Sequence, residues 1–291
     1  MSTILTALAV VAAAAPGLLI SPAELAASLN DPAIVVVAVG NSDDDFIAGH
    51  IPGARFVRYD DIAIAANGLQ SELPPIDELR RVLSAAGISD KSKIVIYGSA
   101  IAATRMFFTL DYFGHPNAKV LNGGLNAWKA SGGAIEVSAL PKPASVTLTP
   151  RPQPDRVVSA DWIKERLSSS KMTLLDARPD NEFTGTDGGM NGAHVKGHLP
   201  DAQQLVWNTL LDSTGKFLPD AELRKKFEAI GATTTTPLVS YCMIGMRASV
   251  TYFVARHLGY DARLYDGSIV DWTRRKLPAV MGPQTAQKAQ N

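Results

Sequence analysis

The amino-acid sequence predicts an α/β protein made of two similar halves, each a mainly parallel β-sheet with helices on both faces. Three observations predict this fold class. The length of 291 residues leaves room for about two domains. Four sequence blocks of the first half recur in the second half. Short apolar runs alternate with helical segments throughout, which is typical of strands buried between two helical layers.

The recurring blocks keep the same order and lie about 145 residues apart, which indicates a tandem duplication. The four pairs of blocks are Ile20–Leu25 with Val158–Ile163, Gly49–Ala54 with Gly197–Ala202, Lys93–Gly98 with Pro237–Cys242, and Leu121–Trp128 with Tyr265–Trp272. The predicted domains are residues 17–140 and 156–280. Residues 141–155 contain five prolines and are predicted to form an extended linker. Residues 281–291 are predicted to be a flexible tail.

Both halves contain the same predicted elements in the same order. A serine in the N-cap position begins the first helix, at Ser21–Leu29 and Ser159–Leu167. An apolar strand follows, at Ile34–Val39 and Met172–Asp176. After a glycine–histidine turn come an amphipathic helix, a second apolar strand and a further helix. Their predicted bounds are Ile76–Ala86, Ile94–Tyr97 and Thr104–Phe113 in the first half, and Asp220–Ile230, Leu238–Tyr241 and Ala248–Leu258 in the second.

The N-terminal residues 1–16 contain an apolar run of 12 residues, Ile4–Ala15. A helix needs about 20 such residues to span a bilayer, so this run resembles the apolar region of a secretory signal peptide instead. No basic residue precedes it, which leaves an N-terminal extension as the alternative. The expected location is periplasmic or secreted in the first case and cytoplasmic in the second. No other segment is apolar for long enough to insert into a membrane.

Charge and cysteine content exclude several function classes. The 28 basic residues balance the 28 acidic residues, so we expect no nucleic-acid partner and no binding to an acidic membrane surface. One cysteine, Cys242, excludes an internal disulfide and the cysteine-rich zinc and iron–sulfur sites. A lone cysteine is either a buried small side chain or a reactive thiol.

The loop of residues 242–247 joins the predicted strand Leu238–Tyr241 to a helix. Ligands of such sheets bind beyond the carboxyl ends of the strands, where Cys242 stands. A short loop there can turn its backbone N–H groups towards an anion, and the helix N-terminus adds partial positive charge. Gly245 permits a tight turn, and Arg247 adds a permanent cation. These features favour the nucleophilic thiolate of Cys242 over the thiol.

From about residue 18 to residue 280, the chain resembles a tandem-domain rhodanese, a sulfurtransferase of the thiosulfate or 3-mercaptopyruvate type. The motifs that carry the resemblance are the two glycine–histidine turns, the strand end Asp176–Arg178, the loop CMIGMR and the two blocks ending at Trp128 and Trp272. The resemblance implies two rhodanese-like domains, of which only the second is catalytic. In the first copy Gly98 stands opposite Cys242, and the predicted loop after it, Ser99–Thr104, has no thiol.

The activity implied by the resemblance is transfer of sulfane sulfur from a small anionic donor to cyanide or a thiol, through a persulfide on Cys242. It implies no metal and no organic cofactor. Arg247 is the candidate for holding the donor sulfonate, the alternative being an ion pair with a neighbouring carboxylate. Phosphatases with a catalytic cysteine have five residues between Cys and Arg, whereas this loop has four, which disfavours a phosphatase.

The loop residues Met243, Ile244 and Met246 match neither donor type of the family, so the donor stays open between thiosulfate, 3-mercaptopyruvate and a larger or less charged molecule. Simple packing is the alternative role for these side chains. A low-turnover persulfide carrier or redox-sensing module is the alternative to an enzyme. The tandem arrangement supplies its own domain interface, which is compatible with a monomer.

Two further residues follow the strand end at Asp176. Relatives often place an arginine there to hold the substrate, and this chain offers Arg178 and Glu182 as candidate substrate contacts. Glu182 would repel an anionic donor unless it pairs with a cation, and a structural ion pair is the main interpretation for Asp176 and Arg178. The glycine-rich residues 184–196 are predicted to form a mobile loop beside the site. His50 and His198 recur in both copies, so they are predicted to hold the turns rather than to act in catalysis.

Overall fold

The computed structural model describes residues 17–139, 143–144, 146–169, 171–187 and 195–283. The predicted signal region at Ile4–Ala15 lies outside the described residues. So do most of the predicted mobile loop and the end of the tail. Among the helices that are described, none combines the length and the apolar character needed to cross a bilayer.

The first copy is built on a parallel sheet of five strands in the order β1-β7-β6-β2-β3. These strands are β1 (Leu19–Ile20), β2 (Ile34–Gly40), β3 (Arg55–Arg58), β6 (Lys93–Gly98) and β7 (Ala118–Leu121). An antiparallel hairpin of β4 (Ile64–Ala66) and β5 (Leu69–Glu72) lies outside the sheet. The helices are α1 (Pro22–Ser28), α2 (Asp44–Ala48), α3 (Ile76–Ala85), α4 (Ala100–Phe113) and α5 (Gly124–Ala130).

The second copy has a parallel sheet of four strands in the order β11-β10-β8-β9. These strands are β8 (Thr173–Asp176), β9 (Gln203–Gln204), β10 (Leu238–Tyr241) and β11 (Ala262–Leu264). The helices are α6 (Ala160–Lys164), α7 (Asp180–Thr184), α8 (Asp220–Ala229), α9 (Ala248–His257) and α10 (Ser268–Arg274). The predicted parallel sheets are thus present in both copies.

Alternate residues of the strands face two different cores, which places helices on both faces of each sheet. In β2, Val37 and Val39 join a core with α3 and α4, whereas Val36 and Ala38 join one with α1 and α5. The period of two in a strand produces this division. The larger core continues from the first copy into the second, because α4 packs against α9. Edge-to-face contacts between Phe107 and Phe253, with ring centroids 4.9 Å apart, are part of that interface.

Most predicted elements agree with the structure within three residues, and one helix differs. Helix α4 begins at Ala100, four residues before the predicted start at Thr104. Ser99 is its N-cap, and the Ser99 side chain accepts a hydrogen bond from the backbone N–H of Ala102. The predicted loop after Gly98 is therefore the first turn of a helix.

The glycine–histidine turns are held as predicted. The Nδ1 atom of His50 lies 2.8 Å from the carbonyl oxygen of Phe46, and its ring stacks on the Phe46 ring. In the second copy, His198 makes the same contacts with Phe183, at 2.9 Å. Both histidines are buried, which fits a role in holding the turn.

Candidate active site

Cys242 is the first residue after strand β10, and its surroundings fix its backbone. Its backbone N–H donates to the Oγ atom of Ser268 at 3.1 Å, and its carbonyl accepts from the N–H of Ile269 at 3.2 Å. Both partners belong to helix α10. The preceding Tyr241 is fully buried, and its hydroxyl accepts from the N–H of Leu199 in the glycine–histidine turn. Cys242 is 1% exposed, so its thiol lies beneath the protein surface.

The loop of residues 242–247 presents unused donors. Across the described part of the chain, the backbone N–H groups of residues 243–247 find no protein acceptor. Gly245 has a φ of +83°, and a Cβ atom added there would lie 2.6 Å from Oδ1 of Asp266 and 2.7 Å from its carbonyl oxygen. Only glycine fits this turn without displacing Asp266. The geometry is suited to donating hydrogen bonds to an anion or to a negatively charged sulfur.

Arg247 and Glu182 form a bidentate ion pair. Nη1 and Nη2 of Arg247 donate to Oε1 and Oε2 of Glu182, each at 2.7 Å. Burial alone lowers the pKa of Arg247, but the hydrogen bond to Glu182 and the negative charges of Cys242 and Glu182 raise it above its ordinary value. The terminal nitrogens expected to hold a sulfonate thus donate to a carboxylate, which is the alternative that the sequence left open for Arg247.

The Asp176–Arg178 ion pair expected from the sequence is present, and both side chains are fully buried. Nε of Arg178 lies 2.9 Å from Oδ1 of Asp176, and Nη2 lies 2.6 Å from Oδ2. Nη2 also donates to the carbonyl oxygen of Gly197 at 2.8 Å. Arg178 therefore ties the strand end to the glycine–histidine turn, and this contact leaves it beneath the surface rather than open to a donor.

The three apolar side chains of the loop are packed to different extents. Met243 is 6% exposed and belongs to the smaller core of the second copy. Ile244 and Met246 are partly buried against the two cores that flank this sheet. Core packing explains the apolar side chain at Met243, whereas Ile244 and Met246 leave part of their surface exposed. Within the predicted mobile loop of residues 184–196, His194 lies outside the described residues and Lys196 is exposed.

Sequence reasoning missed three residues that surround the loop. Ser268 anchors the backbone of Cys242, and comparison of the two copies could have found it, because Gly124 occupies its position in the first copy. Arg105 of the first copy forms a buried ion pair with Asp266, beside Gly245. Its signal was the one cation of a largely apolar helix.

Tyr59 is the third of these residues, and it also comes from the first copy. Its side chain is 6% exposed, and its hydroxyl has no hydrogen-bond partner among the described residues. Burial raises the pKa of Tyr59. Arg105 and Ser71 act against this rise, and the negative charges of Asp266 and Cys242 add to it. Tyr59 and Cys242 belong to the same buried core, so the first copy contributes to the surroundings of the thiol. No sequence pattern around Tyr59 indicated this.

Comparison with known proteins gives one family. The Rhodanese-like domain model matches the chain twice, over residues 21–131 and 159–275. The chain is 30% identical over 261 residues to "Thiosulfate sulfurtransferase" of Azotobacter vinelandii, covering 88% of this chain and 93% of that protein. It is 29% identical over 262 residues to "Thiosulfate/3-mercaptopyruvate sulfurtransferase 1, mitochondrial" of Arabidopsis thaliana, covering 82% and 69%. It is 30% identical over 275 residues to "Sulfur carrier protein TtuD" of Thermus thermophilus, covering 88% and 94%.

Solved structures show the same fold. An anaerobic ergothioneine biosynthesis enzyme from Chlorobium limicola superposes with a TM-score of 0.82 at 24% identity, covering 92% of this chain and 71% of that one. YnjE superposes with a TM-score of 0.84 at 21% identity, covering 92% and 69%. At these identities the likeness is one of fold alone.

Proposed function

The chain belongs to the rhodanese-like domain family, with two tandem copies of the domain, and from this premise we propose that it is a sulfurtransferase acting through a persulfide on Cys242. The proposed donor is thiosulfate, and the proposed acceptor is cyanide or a thiol. One observation carries the assignment to this residue. The chain's single cysteine stands at the carboxyl end of β10, against a loop whose N–H groups have no protein acceptor in the described chain.

The proposed reaction has two steps that balance in atoms and charge. In the first, the Cys242 thiolate attacks the outer sulfur of thiosulfate, and a new sulfur–sulfur bond forms. The bond between that sulfur and the sulfonate breaks, and its electron pair leaves with sulfite. In the second, cyanide or a thiolate attacks the terminal sulfur of the persulfide, which regenerates the Cys242 thiolate and releases thiocyanate or a new persulfide.

The proposed site residues share the work of stabilising negative charge. The N–H groups after Cys242 would donate to the terminal persulfide sulfur, which carries negative charge between the two steps. Gly245 allows the loop to turn those groups inwards. Arg247 is the proposed cation for the donor, and Ile244 and Met246 are the proposed apolar contacts at the rim. Glu182 and Arg178 act on the site through their ion pairs.

The test is turnover with defined donors. Thiosulfate and cyanide should yield thiocyanate, and Cys242→Ser should reduce this activity to background because serine cannot form a persulfide. Turnover that survives in the Cys242→Ser variant would contradict the mechanism. The same assay with 3-mercaptopyruvate distinguishes the second donor type. If neither donor is turned over and mass spectrometry detects one extra sulfur on Cys242, a persulfide carrier is favoured.

We also propose that residues 1–16 are a signal peptide and that the mature chain is periplasmic or secreted. The support is the apolar run Ile4–Ala15, which ends in small residues before a possible cleavage point near Ala15. N-terminal sequencing of protein isolated from its native source tests this. A start at Met1 or Ser2 would contradict the proposed signal peptide.

A further inference from the structure

The ion pair between Glu182 and Arg247 changes the charge that a donor meets at Cys242. Arg247 is the single charged residue of the loop 242–247. Both of its terminal nitrogens are engaged by the two oxygens of one carboxylate. The Arg247 side chain is 18% exposed and that of Glu182 is 7% exposed, so the pair lies partly shielded from solvent. Charges in such a place are screened less than those on an open surface.

Among the described residues, no neighbouring positive charge replaces the guanidinium of Arg247, which is ion-paired with Glu182. The buried pair of Asp176 and Arg178 is neutral as a unit. A thiolate at Cys242 adds a negative charge. A thiosulfate dianion therefore approaches a site in which the only loop cation is already neutralised. Two like charges a few ångströms apart repel each other, and the repulsion is stronger in a less polar site than in water.

From this geometry we infer that Glu182 is a specificity-determining residue of the sulfurtransferase site. By occupying Arg247, its carboxylate weakens the binding of doubly charged thiosulfate relative to sulfane donors with a single negative charge. The inference rests on the proposed function, because it assumes that sulfane donors bind at Cys242. Glu182 acts through Arg247 on the donor and takes no part in breaking bonds.

The first experiment compares two donors in wild type and Glu182→Gln. Thiosulfate carries two negative charges, and methanethiosulfonate carries one while offering the same kind of outer sulfur. Glutamine keeps the shape of the side chain but releases the charge of Arg247. The ratio of kcat/KM for thiosulfate to that for methanethiosulfonate should rise about fivefold or more in the variant, through KM rather than kcat. An unchanged or lower ratio would overturn the inference.

A matched control exists in the first copy. Asp45 precedes Phe46, which stacks on His50, as Glu182 precedes Phe183, which stacks on His198. Asp45 is exposed and forms no ion pair in the described structure. Asp45→Asn removes one negative charge from the chain without touching Arg247, so the donor ratio should stay at the wild-type value. An equal rise in this variant would mean that net charge, and not the pair, sets the preference.

A binding measurement separates this inference from the proposed function. Calorimetry on Cys242→Ser, with and without Glu182→Gln, reports thiosulfate binding when no reaction is possible. Glu182→Gln should lower the Kd for thiosulfate about fivefold or more, and an equal or higher Kd would overturn the inference. The binding result does not depend on turnover. A wild-type protein that is inactive with thiosulfate and with 3-mercaptopyruvate would overturn the proposed function alone.

A third arm needs no substitution at Glu182, in case that variant fails to fold. With Glu182 in place, the Cys242→Ser protein should bind methanethiosulfonate at least as tightly as thiosulfate. A preference for thiosulfate of more than about fivefold would contradict the inference, because an available arginine favours the donor with the greater charge.

Discussion

At the scale of single residues, the difference between the two copies is sharpest at one position beside Cys242. Ser268 is fully buried with a φ of +51°, a left-handed conformation that costs a non-glycine residue about 1–2 kcal/mol. The corresponding Gly124 adopts a φ of +55°, where glycine meets no such cost. The serine hydroxyl accepts the Cys242 N–H and donates to the carbonyl of Tyr265. The strained backbone conformation at Ser268 thus occurs in the copy whose cysteine must be positioned.

Ser268→Gly should separate stability from activity. Relief of strain and loss of the hydroxyl's hydrogen bonds oppose each other, so the free energy of unfolding should stay within about 1 kcal/mol of wild type. The kcat/KM for sulfur transfer should fall about tenfold, because the backbone of Cys242 loses its anchor. Chemical denaturation and the thiocyanate assay measure the two effects. The matched control is Gly124→Ser, which should reduce stability and leave kcat/KM unchanged. If Ser268→Gly lowers stability and kcat/KM in parallel, the role of the serine is structural only.

The first copy excludes a thiol through its backbone as well as through its sequence. A Cβ atom added to Gly98 would lie 2.4 Å from the carbonyl oxygen of Val39. Gly98→Cys should therefore destabilise the protein by about 2 kcal/mol or more and should not create a second site. After exposure to thiosulfate, mass spectrometry should find one transferable sulfur per chain. Two sulfurs per chain, with stability retained, would show that the backbone accepts a thiol there.

At the scale of elements, one segment adopts two structures in the two copies. Residues 242–247 form an open loop before α9, whereas the segment after Gly98 is wound into the first turn of α4. In the first copy a serine cap and an alanine-rich run favour the helix. In the second, Gly245 takes a left-handed conformation that ends any helix extending backwards. The sequence predicted a loop in both copies, because the recurring blocks on either side led to the same elements being assigned to each copy.

The β4–β5 hairpin is the element through which the first copy reaches the active loop. The N–H of Leu73, just after the hairpin, donates to Oδ2 of Asp266, and the carbonyl of Ser71 accepts from Arg105. Glu72, between them, is partly buried. Burial raises its pKa to about 7, and the negative charge of Asp266 adds to the effect. At neutral pH the hairpin therefore holds a carboxylate that titrates.

This titration gives a pH-dependent contribution to stability with a definite sign. In the unfolded chain Glu72 ionises near its ordinary value of 4.5, whereas the folded protein keeps the proton up to about pH 7. The folded state binds more protons in that window, so this group's contribution to stability falls as pH rises from 4.5 to 7. Glu72→Gln should therefore raise the melting temperature at pH 8 and change it little at pH 4.5. A lower melting temperature of the variant at pH 8 would mean that the folded protein stabilises Glu72 as a carboxylate. Thermal denaturation across this range, with Glu78→Gln as an exposed control, measures it.

At the scale of the whole molecule, the sequence was sufficient for the fold but not for the interface between the copies. Periodicity and the repeated blocks predicted both parallel sheets and placed Cys242 at a strand end, since these depend on local patterns. The contacts of Arg105 with Asp266 join residues 161 positions apart, and no local pattern records such a pairing. The pairing of Glu182 with Arg247 was open for the same reason. The sequence offered several carboxylates, and only the packing of α7 beside the loop selects one.

The interface places a charged side chain of the copy without a cysteine beside the active loop. The Arg105 and Asp266 side chains are 0% and 4% exposed, and Asp266 packs against the turn at Gly245. Removing one partner of a buried pair costs about 3–5 kcal/mol, because the other charge is left buried alone. Arg105→Met leaves Asp266 uncompensated, whereas Arg105→Met with Asp266→Asn removes both charges and should recover most of the lost stability.

Measurements of activity can distinguish an interface that positions the loop of residues 242–247 from one that only stabilises the association of the two copies. Every variant is assayed about 10 °C or more below its melting temperature, so that it stays folded. Arg105→Met should still lower kcat/KM about tenfold or more, since Asp266 is no longer held against the turn at Gly245. Arg256→Ala is the control. It breaks a second pair between the copies, with Asp111 at the far end of α4, and should cost stability while leaving kcat/KM unchanged. If both substitutions reduce activity only in proportion to the protein unfolded, then the first copy stabilises the second without shaping its active loop.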